Sequence, residues 1–303
     1  MRPASKFFSE EFENLFHTFL ASLSHSRTAA EYWGYTCLLC DYLEKDFLDI
    51  DESDARRYID SLYVRYQQGQ LSRKTINVRL SSYKSVAGFL ETYYNDCYIN
   101  PFANIPLVPV DLNVTIGHVP SMVEMDAIMS CAKNYGSMYY LILALASRCG
   151  LSLTEIVGLT VQNILETSSG TLTIVMEKKK GATRYVPLPV DVSGIMKEYL
   201  NSCPTSGALF INHHGNPITR KNIESAVNKI IEASGIERHF TMRDFRTRAI
   251  VDMKKCGVDS TSLSEYAGVS EAHIYRFNKV VEQVGECPAD LVNYQLNKLE
   301  GGN

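Results

Sequence analysis

The sequence predicts a mostly α-helical chain in two domains, the second of which carries a small β-sheet. Four amphipathic helical segments follow one another before a turn signal at Asn100-Pro101. One stretch, residues 171–188, alternates apolar and polar side chains around a glycine, as a β-hairpin does. Residues 240–280 read as a capped helix, a glycine stop and a shorter second helix. At 303 residues the chain is long enough for two separate cores.

Residues 6–24 place Phe8, Phe12, Leu15, Phe16, Phe19 and Leu20 on one helical face. Ser26 or Thr28 is positioned to cap a second helix over 29–48. Asp51 or Ser53 opens a third over 55–68, which Gly69 ends. The fourth, 73–94, turns Ile76, Leu80, Tyr83, Ala87 and Leu90 inward. These helices make a domain over 1–105, and 106–119, with Pro and Gly but no helical period, reads as a linker. The second domain is expected over 120–281, with a tail over 282–303.

Within that domain, helices are expected near 121–134, 137–147, 193–202 and 219–234. The hairpin runs TLTIVMEKK, a turn near Lys180-Gly181, then TRYVPLP. Thr241 stands where its side chain can accept a backbone N–H and cap the next helix. Phe245, Ala249, Ile250 and Met253 recur along that helix, and Arg243, Arg246, Arg248 and Lys254 charge it. Gly257 stops it, a short helix follows over 262–267, and Tyr275 and Phe277 flank Arg276. His213 and His214, adjacent in a turn, read as surface residues.

Hydrophobic residues make up 45% and charged residues 21% of the chain, the balance of a soluble globular protein. No apolar run approaches the roughly 18 residues of a membrane span, and the N-terminus lacks the apolar core of a signal peptide. The eight cysteines are scattered. The close pair Cys37–Cys40 has no second pair to complete a zinc site, so no metal is expected. The net charge of −4 argues mildly against a polyanionic partner. Its distribution argues the other way: residues 56–84 hold seven basic side chains and one acid, Asp60.

RDFRT at 243–247, Gly257, AGV at 267–269 and IYRF at 274–277 together resemble box II of the tyrosine recombinases, the phage-integrase family. That box reads H-x-L-R-H, a helix, a glycine, a second helix, L-G-H and a nucleophilic tyrosine. GLSLTEI at 150–156, with Leu159 and Ile164, is similar to the family's box I. The hairpin is similar to its β2–β3 hairpin, and LFINHHGNPIT at 209–219 is also typical. SRKTIN at 72–77 and NPF at 100–102 resemble its core-binding domain. The resemblance covers roughly residues 10–280 and implies a helical core-binding (SAM-like) domain followed by an α+β catalytic-like domain.

It also implies a chemistry. A tyrosine hydroxyl attacks a DNA phosphodiester and leaves a 3′-phosphotyrosyl bond, with no metal or other cofactor. Two arginines and a histidine or tryptophan stabilise the charge on the non-bridging oxygens, and a lysine protonates the leaving oxygen. Carried over position by position, Ser152 stands in place of the first arginine and Glu155 is retained. Lys179 or Lys180 matches the lysine, Arg243 replaces the first histidine, and Arg246 matches the second arginine. Val269 takes the later His/Trp position. Tyr275 has the right local context only if three residues are missing before it; the usual spacing falls on Asn278. Arg148, one turn before Ser152, is a candidate substitute guanidinium, and without the family's first arginine Glu155 faces no obvious partner.

These replacements together lead to the expectation of a bacterial, cytoplasmic, sequence-specific DNA-binding protein of this family that has lost strand cleavage and acts as a regulator or recombination accessory. Its expected contacts to double-stranded DNA are Arg73, Lys74, Arg79, Lys84, Lys179, Lys180, Arg184, Arg243 and Arg246. The tail, with Leu291, Val292, Leu296 and Leu299 at helical spacing, is expected to contact other recombinase protomers. Two alternatives stay open: an active, divergent integrase using Tyr275, and a protein-interaction module without DNA binding.

Overall fold

The computed structural model describes residues 3–23, 26–95, 97–177, 183–202 and 207–284. The chain divides into two compact units, Met1–Asp111 and Leu112–Asn303. The boundary falls inside the stretch expected as a linker.

The first unit holds four helices: α1 (Glu10–Ser22), α2 (Ser26–Leu43), α3 (Glu52–Gln67) and α4 (Arg73–Tyr93). Side chains start three of them. Ser9, Asp51 and Ser72 accept backbone N–H bonds from Phe12, Asp54 and Thr75, satisfying donors that a helix start leaves open. Helix α2 ends five residues short of its expected end, and Phe47–Asp49 forms a separate 3-10 turn capped by Asp46.

The core of this unit is aromatic. Phe12, Phe16 and Phe47 are fully buried, each contributing about 2–3 kcal/mol of apolar transfer. Phe12 stacks on Phe47 with centroids 5.0 Å apart, and Phe16 stacks on Trp33 at 5.6 Å. The buried Tyr83 hydroxyl donates to the Tyr35 carbonyl at 3.2 Å. Asn77 exchanges two 2.8 Å hydrogen bonds with the backbone of Val108, which fastens the end of the unit to α4.

The second unit begins with α5 (Met122–Tyr135) and α6 (Ser137–Cys149), followed by the short α7 (Leu153–Val157). A three-stranded antiparallel sheet follows in the order β1 (Ile164–Glu166), β2 (Leu172–Glu177) and β3 (Thr183–Pro187). Strand β1 is an addition to the expected hairpin; its three residues are too few to show a period. Then come α8 (Val190–Leu200), α9 (Arg220–Ala233), α10 (Met242–Lys255), α11 (Ser260–Ala267), α12 (Glu271–Ile274) and α13 (Asn278–Gln283).

Helix α6 is the hub: seven of its residues from Leu141 to Cys149 are apolar and buried, and it packs against α5, α8 and α10. A smaller core joins Ile250 and Val251 of α10 to Leu263 and Ala267 of α11 and to Ile274, Phe277 and Val280 beyond. At the start of α10 Thr241 and Asp244 form a reciprocal capping box. The Thr241 hydroxyl donates to Asp244 Oδ2 at 2.7 Å, and the Thr241 N–H donates to the same oxygen at 2.8 Å. Arg248 is buried and spends its guanidinium on Asp252, the Pro120 carbonyl and Met122, so it belongs to the packing rather than to a charged surface. Among the described residues, no helix is long and apolar enough to cross a membrane. The tail positions Leu291, Val292, Leu296 and Leu299 lie outside the described residues.

Candidate functional site

Box I and box II meet at one carboxylate. Ser152 caps α7, and Glu155 completes a capping box with it: Glu155 Oε2 accepts from the Ser152 N–H at 2.7 Å and from its hydroxyl at 2.6 Å. The expectation that Glu155 lacks a partner does not hold. Its Oε1 accepts from Arg184 Nη1, and its Oε2 accepts from Arg246 Nη1 at 3.0 Å. Burial pushes the Glu155 carboxyl up, but Arg184, Ser152 and Arg246 outweigh that and hold it below the usual carboxylate range.

Arg184 arrives from β3, where alternate residues turn inward; Val186 is buried on the same side. Arg184 is itself buried, and its Nε and Nη2 donate to the Tyr266 carbonyl at 2.9 and 2.6 Å. Arg246 Nη2 donates to the next carbonyl, Ala267, at 2.8 Å. Both acceptors are at the C-terminal end of α11, where carbonyls lack helical partners and the helix dipole is negative. Gly268 follows with φ +67°, and its missing Cβ leaves the space in which the Arg184 guanidinium lies. The two guanidiniums thus hold the end of α11 against the sheet and α7.

The other expected site residues are placed as follows. Arg243 is exposed and makes no hydrogen bond or ion pair with the described residues. Tyr275 is 57% exposed, at the start of a 3-10 turn through Phe277. Val269 packs against the small core around Ile250 and Leu263, where it has no polar group to offer. Arg148 bonds Asp191 at 3.2 Å on the exposed surface and does not replace a guanidinium beside Glu155. Lys179 and Lys180 lie outside the described residues.

In the first unit, Arg73 and Lys74 are exposed at the start of α4. Arg79 is partly buried over the Tyr35 ring, 5.4 Å from its centroid, and its Nε and Nη1 have no partner among the described residues. Lys84 donates to the Ala103 carbonyl at 3.0 Å.

Sequence reasoning passed over His273. Its Nδ1 is 3.1 Å from Arg276 Nη1, and burial, Arg276, Arg243 and Arg246 lower its pKa below the ordinary histidine value. Its place two residues before Tyr275 was the available signal. A cleft of about 280 Å³ opens beside Glu155 and is lined by Asn163, Met176, Glu177, Arg184 and Gly268. Two carboxylates in its wall make it a poor seat for a phosphate.

This combination of two box motifs around one carboxylate, on a helical unit with a three-stranded sheet, belongs to a known family. Residues 121–277 match the model of the phage integrase family, and the chain is a member of it. Among curated proteins it is similar to the tyrosine recombinase XerC of Listeria innocua serovar 6a, 25% identical over 252 residues that cover 78% of this chain and 79% of the relative. The tyrosine recombinase XerC of Oceanobacillus iheyensis is 24% identical over 262 residues, 78% of this chain and 81% of the relative. Among solved structures, the fold is similar to the XerH site-specific recombinase in a post-cleavage complex with palindromic difH substrate (TM-score 0.68, 16% identity, 90% of this chain and 92% of that one). It is also similar to a lambda integrase dimer bound to a COC′ core site (TM-score 0.63, 16% identity, 96% and 79%).

Proposed function

We propose that this chain is a sequence-specific DNA-binding member of the family that does not cleave DNA and serves as a regulator or recombination accessory. One observation carries the reading: the guanidiniums beside Glu155 are spent on the protein itself. Arg184 is buried and bound to Glu155 and Tyr266, and Arg246 is bound to Glu155 and Ala267. A phosphoryl transition state needs donors aimed at its developing charge, and each missing donor costs about 3–4 kcal/mol. Ser152 has no positive charge to give, and its hydroxyl is already bonded to Glu155. Affinity needs only cations that reach phosphates. Exposed Arg73 and Lys74 in the first unit and Arg243 in the second remain available for that.

The relatives support the DNA-binding part: two solved structures of the same fold hold a difH substrate and a COC′ core site. A second reading, an active divergent recombinase, draws on the exposed Tyr275 and on His273, which is held towards its neutral form two residues away.

The test is to recover genomic fragments bound by the purified full chain and rebuild them as nicked suicide substrates. Complexes whose affinity falls steeply with salt, and no protein–DNA adduct on a denaturing gel, are the expected result. An adduct that disappears in Tyr275→Phe establishes the second reading instead. No binding even at low salt removes both and leaves a protein-interaction module.

A further inference from the structure

The residues that lead into the second unit are bonded to the turn that carries Tyr275. Leu112 is the first residue of that unit, and its carbonyl accepts from Arg276 Nε at 2.6 Å. Two residues on, the Val114 N–H donates to the Arg276 carbonyl at 2.9 Å. Arg276 is thus held by its side chain and by its backbone. The next contacts go elsewhere. Arg238 Nη2 donates to the carbonyls of Ile116 and Gly117 at 3.2 and 3.0 Å, and His118 Nδ1 lies 3.0 Å from Oδ1 of buried Asp244. Val119 then enters the small core of Ile250 and Leu263, and Val114 packs against the same core. Residues 112–119 therefore form a strap, and Arg276 holds the end that the chain reaches first.

The turn under the strap depends on such contacts. Helix α12 has four residues, the 3-10 turn three and α13 six, all too short to be stable alone. Ile274 and Phe277 are buried and anchor the turn, whereas Tyr275 between them is exposed. The chain before the strap is tied as well, since Asn77 fastens Val108 to α4. Only Pro109, Val110 and Asp111 separate Val108 from Leu112. Pro109 has a fixed φ and restricts the residue before it, so this connection has little slack. A load passed along it meets the Arg276 bonds before those of Arg238 and His118.

From this we infer that the strap is a catch on the Tyr275 turn: it holds the turn while the chain is free and parts from Arg276 when duplex DNA fixes the first unit. This rests on the DNA-binding reading and goes beyond it, and it applies whether or not Tyr275 attacks a phosphate. Arg276 is a positioning residue, acting on Tyr275 through the backbone they share.

Hydrogen exchange of the full chain, alone and with the genomic duplexes it selects, tests this. Wild type is compared with Arg276→Ala and with a chain carrying Gly-Ser-Gly-Ser inserted between Val110 and Asp111. In wild type the duplex is expected to speed exchange of peptides 112–119 and 271–283 together, severalfold. Without DNA, Arg276→Ala is expected to speed exchange in both peptides by about tenfold, the loss of one charge-assisted hydrogen bond, and duplex adds nothing further. The insertion supplies slack: both peptides are expected to match free wild type and to stay so with duplex bound. An inserted chain that responds to duplex as wild type does would show that no load passes through 109–111. Slower exchange on duplex would show a turn that is covered rather than released. Unchanged exchange of 112–119 in Arg276→Ala would show that there is no catch. Each of these overturns the inference and leaves DNA binding standing. If the wild-type chain selects no duplex at low salt, the DNA-binding reading falls and the trigger falls with it.

Discussion

Replacing Gly268 with alanine tests how α11 is held. The new methyl group would lie 2.8 Å from Arg184 Cζ and 3.1 Å from its Cδ, and closer still to Nη1. The residue also has φ +67°, where an L side chain costs about 1–2 kcal/mol. Arg184 is buried and bound on both sides, to Glu155 and to Tyr266, so it has nowhere to swing. Displacing it breaks a buried ion pair, which costs about 3–5 kcal/mol. The sum of the lower bounds is about 4 kcal/mol. Gly257 is the internal control: φ is +83°, but no atom lies within 4 Å of its added Cβ. Gly257→Ala is therefore expected to lose only the backbone share, about 1–2 kcal/mol. Hydrogen exchange of peptides covering α10 and α11 reads both losses as opening free energies. Equal losses in the two variants would mean that Arg184 yields freely, and the account of a guanidinium wedged under the turn would be wrong.

Two further outcomes follow from the same geometry. The Glu155 carboxyl, held below its unfolded value by Arg184, Ser152 and Arg246, contributes stability that is present above pH ~4.3 and lost as pH falls through the folded pKa. Glu155→Gln is expected to lower the stability of the second unit at neutral pH by about 3–5 kcal/mol and to flatten its acid loss; exchange profiles between pH 3 and 7 that superimpose on wild type would refute this. Among the described cysteines, Cys97 and Cys256 are exposed whereas Cys37, Cys40 and Cys149 are buried, with the Cys149 thiol pushed up to about 12 by burial. Alkylation of the native protein followed by peptide mapping is expected to label the first two long before the other three, because thiolate and access are both needed.

Local chemistry made much of the fold legible. Ser72, Ser121 and Thr219 mark helix starts within a residue of where they occur, because a cap is a contact between near neighbours in sequence. Glycine stops at Gly69 and Gly257 were equally local. The site was less legible because its bonds are long-range. Arg184 is 29 residues from Glu155, and Arg246 is 91 residues from it. The inward turn of Arg184 was readable in principle, since Val186 two residues on is a core residue and the strand alternates. A buried arginine contradicts the usual reading of a basic hairpin as solvated, and only its two acceptors make it tolerable. His273 was missed for a related reason: its environment comes from arginines 27 and 30 residues upstream as well as from its neighbour Arg276.

The aromatic stack of the first unit has a spectroscopic consequence. Trp33 is the chain's single tryptophan, and it is buried among Phe8, Phe16 and His17. Emission excited on the red edge of the absorption band therefore comes from one unit alone, and a melting curve recorded that way is silent about the other. A denaturant titration by tryptophan emission and one by far-ultraviolet dichroism need not coincide. A gap between them would measure how independently the two units unfold, without cutting the chain or adding a label.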